Sequence, residues 1–254
     1  MILRLLAATA LLVACDKSAP SGSPAPDKAP ATPSSPSAPK IRAETAVYKP
    51  TFTTTEGEQA SGTAFVARLS PSSPLLLVTA HHLFGADGGL DREYAWSELP
   101  KFVSKVAAVS IEKSPPVTAG PAIAIDGATK YAQTGMGGDV AAFAVTAPTD
   151  APALAFATAR PAEGAEVWLI APVEGSTELR HRAVVAQVED EVIAYAFDNA
   201  GIKLRATSGA PVVDAAGNVV AINLASGSQD GKTVGFGNPA WSASKRLLAA
   251  TSKR

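Results

Sequence analysis

Residues 204–226 read LRATSGAPVVDAAGNVVAINLAS, and the fold follows from this stretch. A Ser-Gly-x-Pro core at 208–211 runs into a short apolar strand. A polar turn follows at 214–218, then a second apolar strand at 219–224. Two short β-like runs joined by a Gly-Asn turn read as a hairpin. Serine beside glycine is common and means little alone. Here the serine stands at the mouth of the hairpin, after a loop of small residues. Such a position can offer a hydroxyl and two backbone N–H groups to a substrate carbonyl. That chemistry also needs a base and an acid that orients the base.

Working outward, short β-like runs recur with turn signals between them. They fall at 46–54, 62–68, 74–80, 102–111, 122–126, 140–145, 166–173, 180–188, 192–197, 210–213, 219–224 and 233–237. Many short strands at this spacing predict an all-β sandwich or barrel. Strands do not alternate with long helices, which argues against a doubly wound α/β fold. The sequence holds no Gly-rich phosphate loop and no metal-ligand cluster, so neither a metal nor a cofactor is expected. One helix is predicted at 240–251. Asn238 reads as its N-cap and Pro239 as its N1 residue. Trp241 and Leu248, seven apart, would share the face packed on the barrel.

The buried-strand pattern at 75–80 ends in His81-His82. A histidine just past a strand end can reach a cleft, where its titration near neutral pH suits general base work. It reads equally well as a structural histidine. His181, in the polar run Leu-Arg-His-Arg, reads as solvated. Asp139 follows Gly137-Gly138 and opens the apolar run 140–145. Asp after Gly is usually a turn residue, but an acid there can also fix an imidazole tautomer.

Taken together, the order is His, Asp, Ser. Thr79-Ala80-His81-His82 resembles the T-A-A-H signature of chymotrypsin-like (trypsin-fold) serine proteases. Gly138-Asp139-Val140-Ala141 resembles the D-I-A-L segment of that family, and residues 206–211 resemble its G-D-S-G-G-P. Residues 235–239, Gly-Phe-Gly-Asn-Pro, are similar to the G-F-A-I-P strand of the periplasmic high-temperature-requirement proteases. The resemblance covers about residues 44 to 250. It implies two six-stranded antiparallel β-barrels and a short C-terminal helix. Barrel one would span about 41–150 and barrel two about 151–239 of a folded part at 41–254.

The resemblance also implies roles. Ser208 would be the nucleophile, His82 the base and Asp139 its orienter. His82 matches the fourth place of T-A-A-H, and His81 is its neighbour. The backbone N–H groups of Ala206 and Ser208 would hold the oxyanion. Ile202, six before the serine, would floor the substrate pocket, with Leu224, Ala225, Ser226 and Phe236 on its walls. An apolar floor favours an apolar P1 side chain, and the partner would be a protein or peptide substrate. The sequence departs from the family at Ala206, where glycine is strongly preferred because a Cβ resists positive φ. Thr207 replaces the usual Asp or Asn, and Ala210 replaces the second glycine.

The N-terminal stretch reads as an address. Arg4 precedes an apolar run at 5–14. That run is shorter than the ~20 residues a spanning helix needs, so 1–14 reads as a secretory signal. Its end, Leu12-Val13-Ala14-Cys15, resembles the lipobox of bacterial lipoproteins. Cys15, the chain's one cysteine, would then carry lipid and hold the protein to a membrane of the cell envelope. The alternative is a plain secretory signal. Residues 15–40 lack Val, Leu, Ile and aromatics and read as a disordered tether, or as a linker whose length has no meaning. A net charge of −1 across 254 residues gives no electrostatic case for nucleic acid.

Overall fold

A computed structural model describes residues 42–132 and 135–252. The expected signal, Cys15 and the Pro-rich stretch lie outside the described residues.

Eight strands build the first half. They are β1 (Val47–Thr54), β2 (Gly57–Ala60), β3 (Ala64–Arg68), β4 (Leu76–Thr79), β5 (Val103–Ser110), β6 (Val117–Ala122), β7 (Ala141–Ala147) and β8 (Leu154–Ala155). Hydrogen bonding runs β1-β5-β6-β7-β4-β3 and closes through Val47↔Phe65 and Tyr48↔Ala64. β2 is an appendage on the end of β1, and β8 lies parallel to β3. The second half holds β9 (Glu166–Ile170), β10 (Arg180–Val188), β11 (Ile193–Phe197), β12 (Pro211–Val213), β13 (Val219–Gln229) and β14 (Lys232–Pro239). They close in the order β10-β11-β14-β13-β12-β9. The protein therefore consists of two closed six-stranded antiparallel barrels, as the sequence implies. A C-terminal helix, Ala240–Thr251, follows β14 without a loop.

The apolar runs have a simple cause. Side chains alternate across a strand. In β4, Leu77 fills barrel one with Phe52, Phe84 and Phe143, while Leu76 and Val78 face the other way. There they meet Ile170, Val213, Ile222 and Leu224 from barrel two. Val212 of β12 points into the core of barrel two and Val213 into this shared layer. Strands buried on both faces read as continuous apolar runs rather than alternating ones.

Several expectations change. The run 122–126 is not a strand; β6 lies just before it, where Gly120 and Pro121 obscure the pattern. Ile123 and Ile125 instead anchor a loop in the layer between the barrels. β2, Gly-Glu-Gln-Ala, is largely exposed and carries no apolar period to read. In the helix, Pro239 occupies the N-cap position that sequence assigned to Asn238, and Asn238 is buried at the end of β14. Leu248 is 47% exposed, and Ala240, Ala243, Leu247 and Ala250 form the packed face. Their spacing of three, four and three is the helical period that Trp241 and Leu248 do not share with the core. Trp241 instead donates its indole N–H to the Asp190 carbonyl at 3.0 Å. Among the described residues, no helix is long and apolar enough to cross a membrane.

Candidate active site

β4 leads directly into a single turn of 3-10 helix, His81–Phe84, so both histidines leave a buried strand end. Asp139 sits just before β7, the neighbour of β4 in the barrel. It is fully buried, and its carboxylate accepts four hydrogen bonds. Oδ1 takes the backbone N–H groups of His81 at 2.6 Å and His82 at 3.0 Å. Oδ2 takes the backbone N–H of Tyr131 at 3.0 Å and His82 Nδ1 at 2.7 Å. A buried carboxylate needs such satisfaction. A carboxylate only accepts, so Nδ1 of His82 is the donor, and in the neutral imidazole the lone pair then lies on Nε2. The Tyr131 ring meets the imidazole edge-on, with centroids 5.2 Å apart.

Asp139 is also held from barrel two. Asn238 Nδ2 donates to the carbonyls of Gly137 and Asp139, both at 3.2 Å. Ser242 of the helix adds a third bond, to the Gly137 carbonyl at 3.2 Å.

The other two histidines have structural partners. His81 is buried with Nε2 against the Tyr94 carbonyl at 3.0 Å. Its Nδ1 is buried without a partner. Burial pushes its pKa below the ordinary histidine value, with Asp139 and Glu93 pulling upward and His82 opposing them. His181 is not solvated as expected. It is 9% exposed on β10, and its Nε2 meets the Ala171 carbonyl at 3.0 Å. Polar neighbours in sequence misled because alternate residues of that strand face opposite ways.

The serine loop is fastened to the start of β3 and to the end of β4, the strand that leads into His81 and His82. The Ser208 carbonyl accepts the Thr63 N–H at 2.8 Å. Gly209 has φ +84°, and a Cβ there would lie 2.2 Å from both the Thr63 carbonyl and Thr79 Oγ1. Only glycine fits, so the Ser-Gly pair is fixed by contact with the strand end before His82. Asn223 completes the frame. Its Nδ2 donates to the Thr207 carbonyl at 3.2 Å and to Thr207 Oγ1 at 3.0 Å, while Oδ1 accepts from Tyr195. Ser208 Oγ donates to the Leu224 carbonyl at 3.2 Å. Among the described residues, no hydrogen bond joins it to His82.

Ala206 is exposed and has φ +59°. An alanine here takes a left-handed conformation, at a cost of about 1–2 kcal/mol. Among the described residues, the N–H groups of Ala206 and Ser208 have no acceptor within the chain. Two unpaired donors beside a hydroxyl can stabilise a developing oxyanion.

The expected pocket residues lie in barrel two. Ile202 is buried with Tyr195 and Phe197. Leu224 sits at a register shift of β13, and Ala225 and Ser226 pair with Phe236 and Gly235 of β14. The Tyr195 ring fills the space beside Gly235, where a Cβ would lie 2.3 Å from it. Sequence reading missed Lys49, Thr63, Tyr131, Asn223 and Asn238. Polar residues at buried positions, such as Asn223 inside an apolar strand, are the signal for three of these, Thr63, Asn223 and Asn238.

Two closed six-stranded barrels, with a buried His–carboxylate pair on one and a Ser-Gly loop on the other, define the chymotrypsin-like scaffold. The model of the trypsin-like peptidase domain matches residues 60–222, and the chain belongs to that family. No curated protein matches the sequence. Among solved structures, the active form of the Rv3671c protease from M. tuberculosis is similar at 20% identity and TM-score 0.55. The alignment covers 82% of each chain. A serine endoprotease from Yersinia pestis aligns at 15% identity and TM-score 0.55, over 83% of this chain and 64% of that one. An HtrA-type protease, AlgW, with a bound tripeptide aligns at 17% identity and TM-score 0.54, over 82% and 60%. At these identities the structural likeness speaks for the fold alone.

Proposed function

We propose that the chain is a serine endopeptidase that cleaves peptide bonds with Ser208, His82 and Asp139. The observation that carries this reading is the hydrogen bond of 2.7 Å from His82 Nδ1 to Asp139, which leaves Nε2 free to act as a base. Ser208 Oγ attacks the scissile carbonyl carbon, and its proton passes to Nε2. The carbonyl oxygen becomes an oxyanion between the N–H groups of Ala206 and Ser208. The imidazolium, held by Asp139, then protonates the leaving amine. Water attacks the resulting acyl-serine ester with His82 again as base, and the acid is released. The apolar character of Ile202 and Leu224 supports an apolar P1 residue. Lipid on Cys15 would hold the enzyme at the bacterial cell envelope.

The second reading is a catalytically weak trypsin-fold lipoprotein that binds a peptide. Two observations favour it: Ala206 in place of glycine, and a serine hydroxyl that donates to the Leu224 carbonyl. A peptide-library digest of the purified chain beside Ser208→Ala separates the two. Serine-dependent cleavage after apolar residues is the expected result. A folded chain that binds peptides without cutting them would establish the second reading, and a preference for Lys or Arg at P1 would refute the pocket assignment.

A further inference from the structure

β1 belongs to barrel one, yet Lys49 on it reaches the nucleophile loop of barrel two. Val47 and Lys49 share a strand face, and Val47 lies in the layer between the barrels. The Lys49 ammonium donates to three oxygens: the Ala206 carbonyl at 2.9 Å, Thr63 Oγ1 at 2.9 Å and the Gly62 carbonyl at 3.1 Å. Thr63 Oγ1 donates to the same Ala206 carbonyl at 3.0 Å. One carbonyl thus receives two hydrogen bonds, one of them from a charged group. Burial lowers the pKa of Lys49, and among the described residues it has no ion-pair partner. A lysine placed there is poorly compensated as an ion, so its contacts to carbonyl oxygens are its main structural return.

The residue it grips is one of only two non-glycine positions with positive φ among the described residues. Left alone, an alanine relaxes to negative φ, because its Cβ crowds the carbonyl in the left-handed region. Relaxation would rotate the peptide whose N–H is one of the two unpaired donors beside Ser208. Resting on the protease reading above, we infer that Lys49 is a positioning residue for the oxyanion hole. By holding the Ala206 carbonyl, it keeps residue 206 in the conformation that leaves its N–H free for the substrate. A barrel-one lysine thereby does for alanine what glycine does unaided in the rest of the family.

The test is a four-cornered kinetic comparison on the full chain: wild type, Lys49→Met, Ala206→Gly and the double variant, with Lys49→Arg as a charge-retaining control. Lys49→Met should lower kcat by about 10- to 100-fold with KM nearly unchanged, since an oxyanion donor acts in the transition state. Affinity for a peptide aldehyde, whose adduct carries the oxyanion, should fall in parallel. In the Ala206→Gly background the same substitution should cost at least tenfold less, because glycine reaches φ +59° without help. Lys49→Arg should retain most of the activity, and thermal melting of each variant separates misfolding from mispositioning. An active wild type with equal losses in both backgrounds would give Lys49 a merely structural role and overturn the inference. An active wild type with no loss in Lys49→Met would do the same. A wild type that is folded but inactive overturns the protease reading itself, and the inference with it.

Discussion

Asp139, 0% exposed in barrel one, has its carboxylate satisfied by four donors, and it holds His82, 2% exposed, through Nδ1 and the backbone N–H. Ala206, two residues before the serine in barrel two, is exposed, holds a strained backbone angle and depends on a lysine from the other barrel. The first region is rigid because a buried carboxylate with four donors has no alternative arrangement of similar energy. On the proposed protease reading, the second would do its work with backbone N–H groups that stay unpaired until substrate arrives. The proposed site would therefore be readied in two ways: by satisfaction in one barrel and by held strain in the other.

The largest effect should come from breaking the satisfied half. Asp139→Asn puts an amide where four donors converge and disturbs the tautomer of His82. Steady-state kinetics should show kcat lowered about 10⁴-fold. A loss of tenfold or less would mean the pair does not orient the base. Next comes the clamp that joins the halves. Asn238→Ala removes two bonds to the Gly137 and Asp139 carbonyls. Urea unfolding should show a loss of about 1–3 kcal/mol. Retained stability would mean the Asp139 loop needs no support from barrel two.

The strained half should answer in the opposite direction. Ala206→Gly relieves the positive φ and should raise stability by up to about 1 kcal/mol without lowering kcat. A lower melting temperature would show that the alanine is not strained. The smallest effect concerns acid. Burial holds the His81 pKa below its ordinary value, so the unfolded chain takes up a proton that the folded one resists. Stability should fall as pH drops below about 6.5, the unfolded value, and level off below the folded one. His81→Gln keeps a donor for the Tyr94 carbonyl and should remove that part of the slope. An unchanged slope would assign the acid sensitivity to other groups.

The contrast also explains what could be read beforehand. Short apolar runs placed most of the strands, since burial on both faces left them continuous. His82 and Asp139 stood at strand ends, where side chain and backbone pattern agree. Ala206 stood out as a departure, but its conformation did not, because φ is decided by contacts with Lys49 and Thr63 over 140 residues away. Asn238 sat before Pro239 where a helix cap would sit, and only the packing of the barrels turned its amide onto Asp139. Lys49, in a strand with polar residues on one face, carried no local sign that it faces the other barrel. Residues whose partners are distant in sequence are the ones a linear reading loses.

The most direct measurement is labelling of the purified chain with a fluorophosphonate probe, with the adduct located by mass spectrometry, in wild type and His82→Ala. The account predicts modification of Ser208 in the wild type and none in His82→Ala. A folded wild type that stays unlabelled, or labelling that survives the loss of His82, would contradict it.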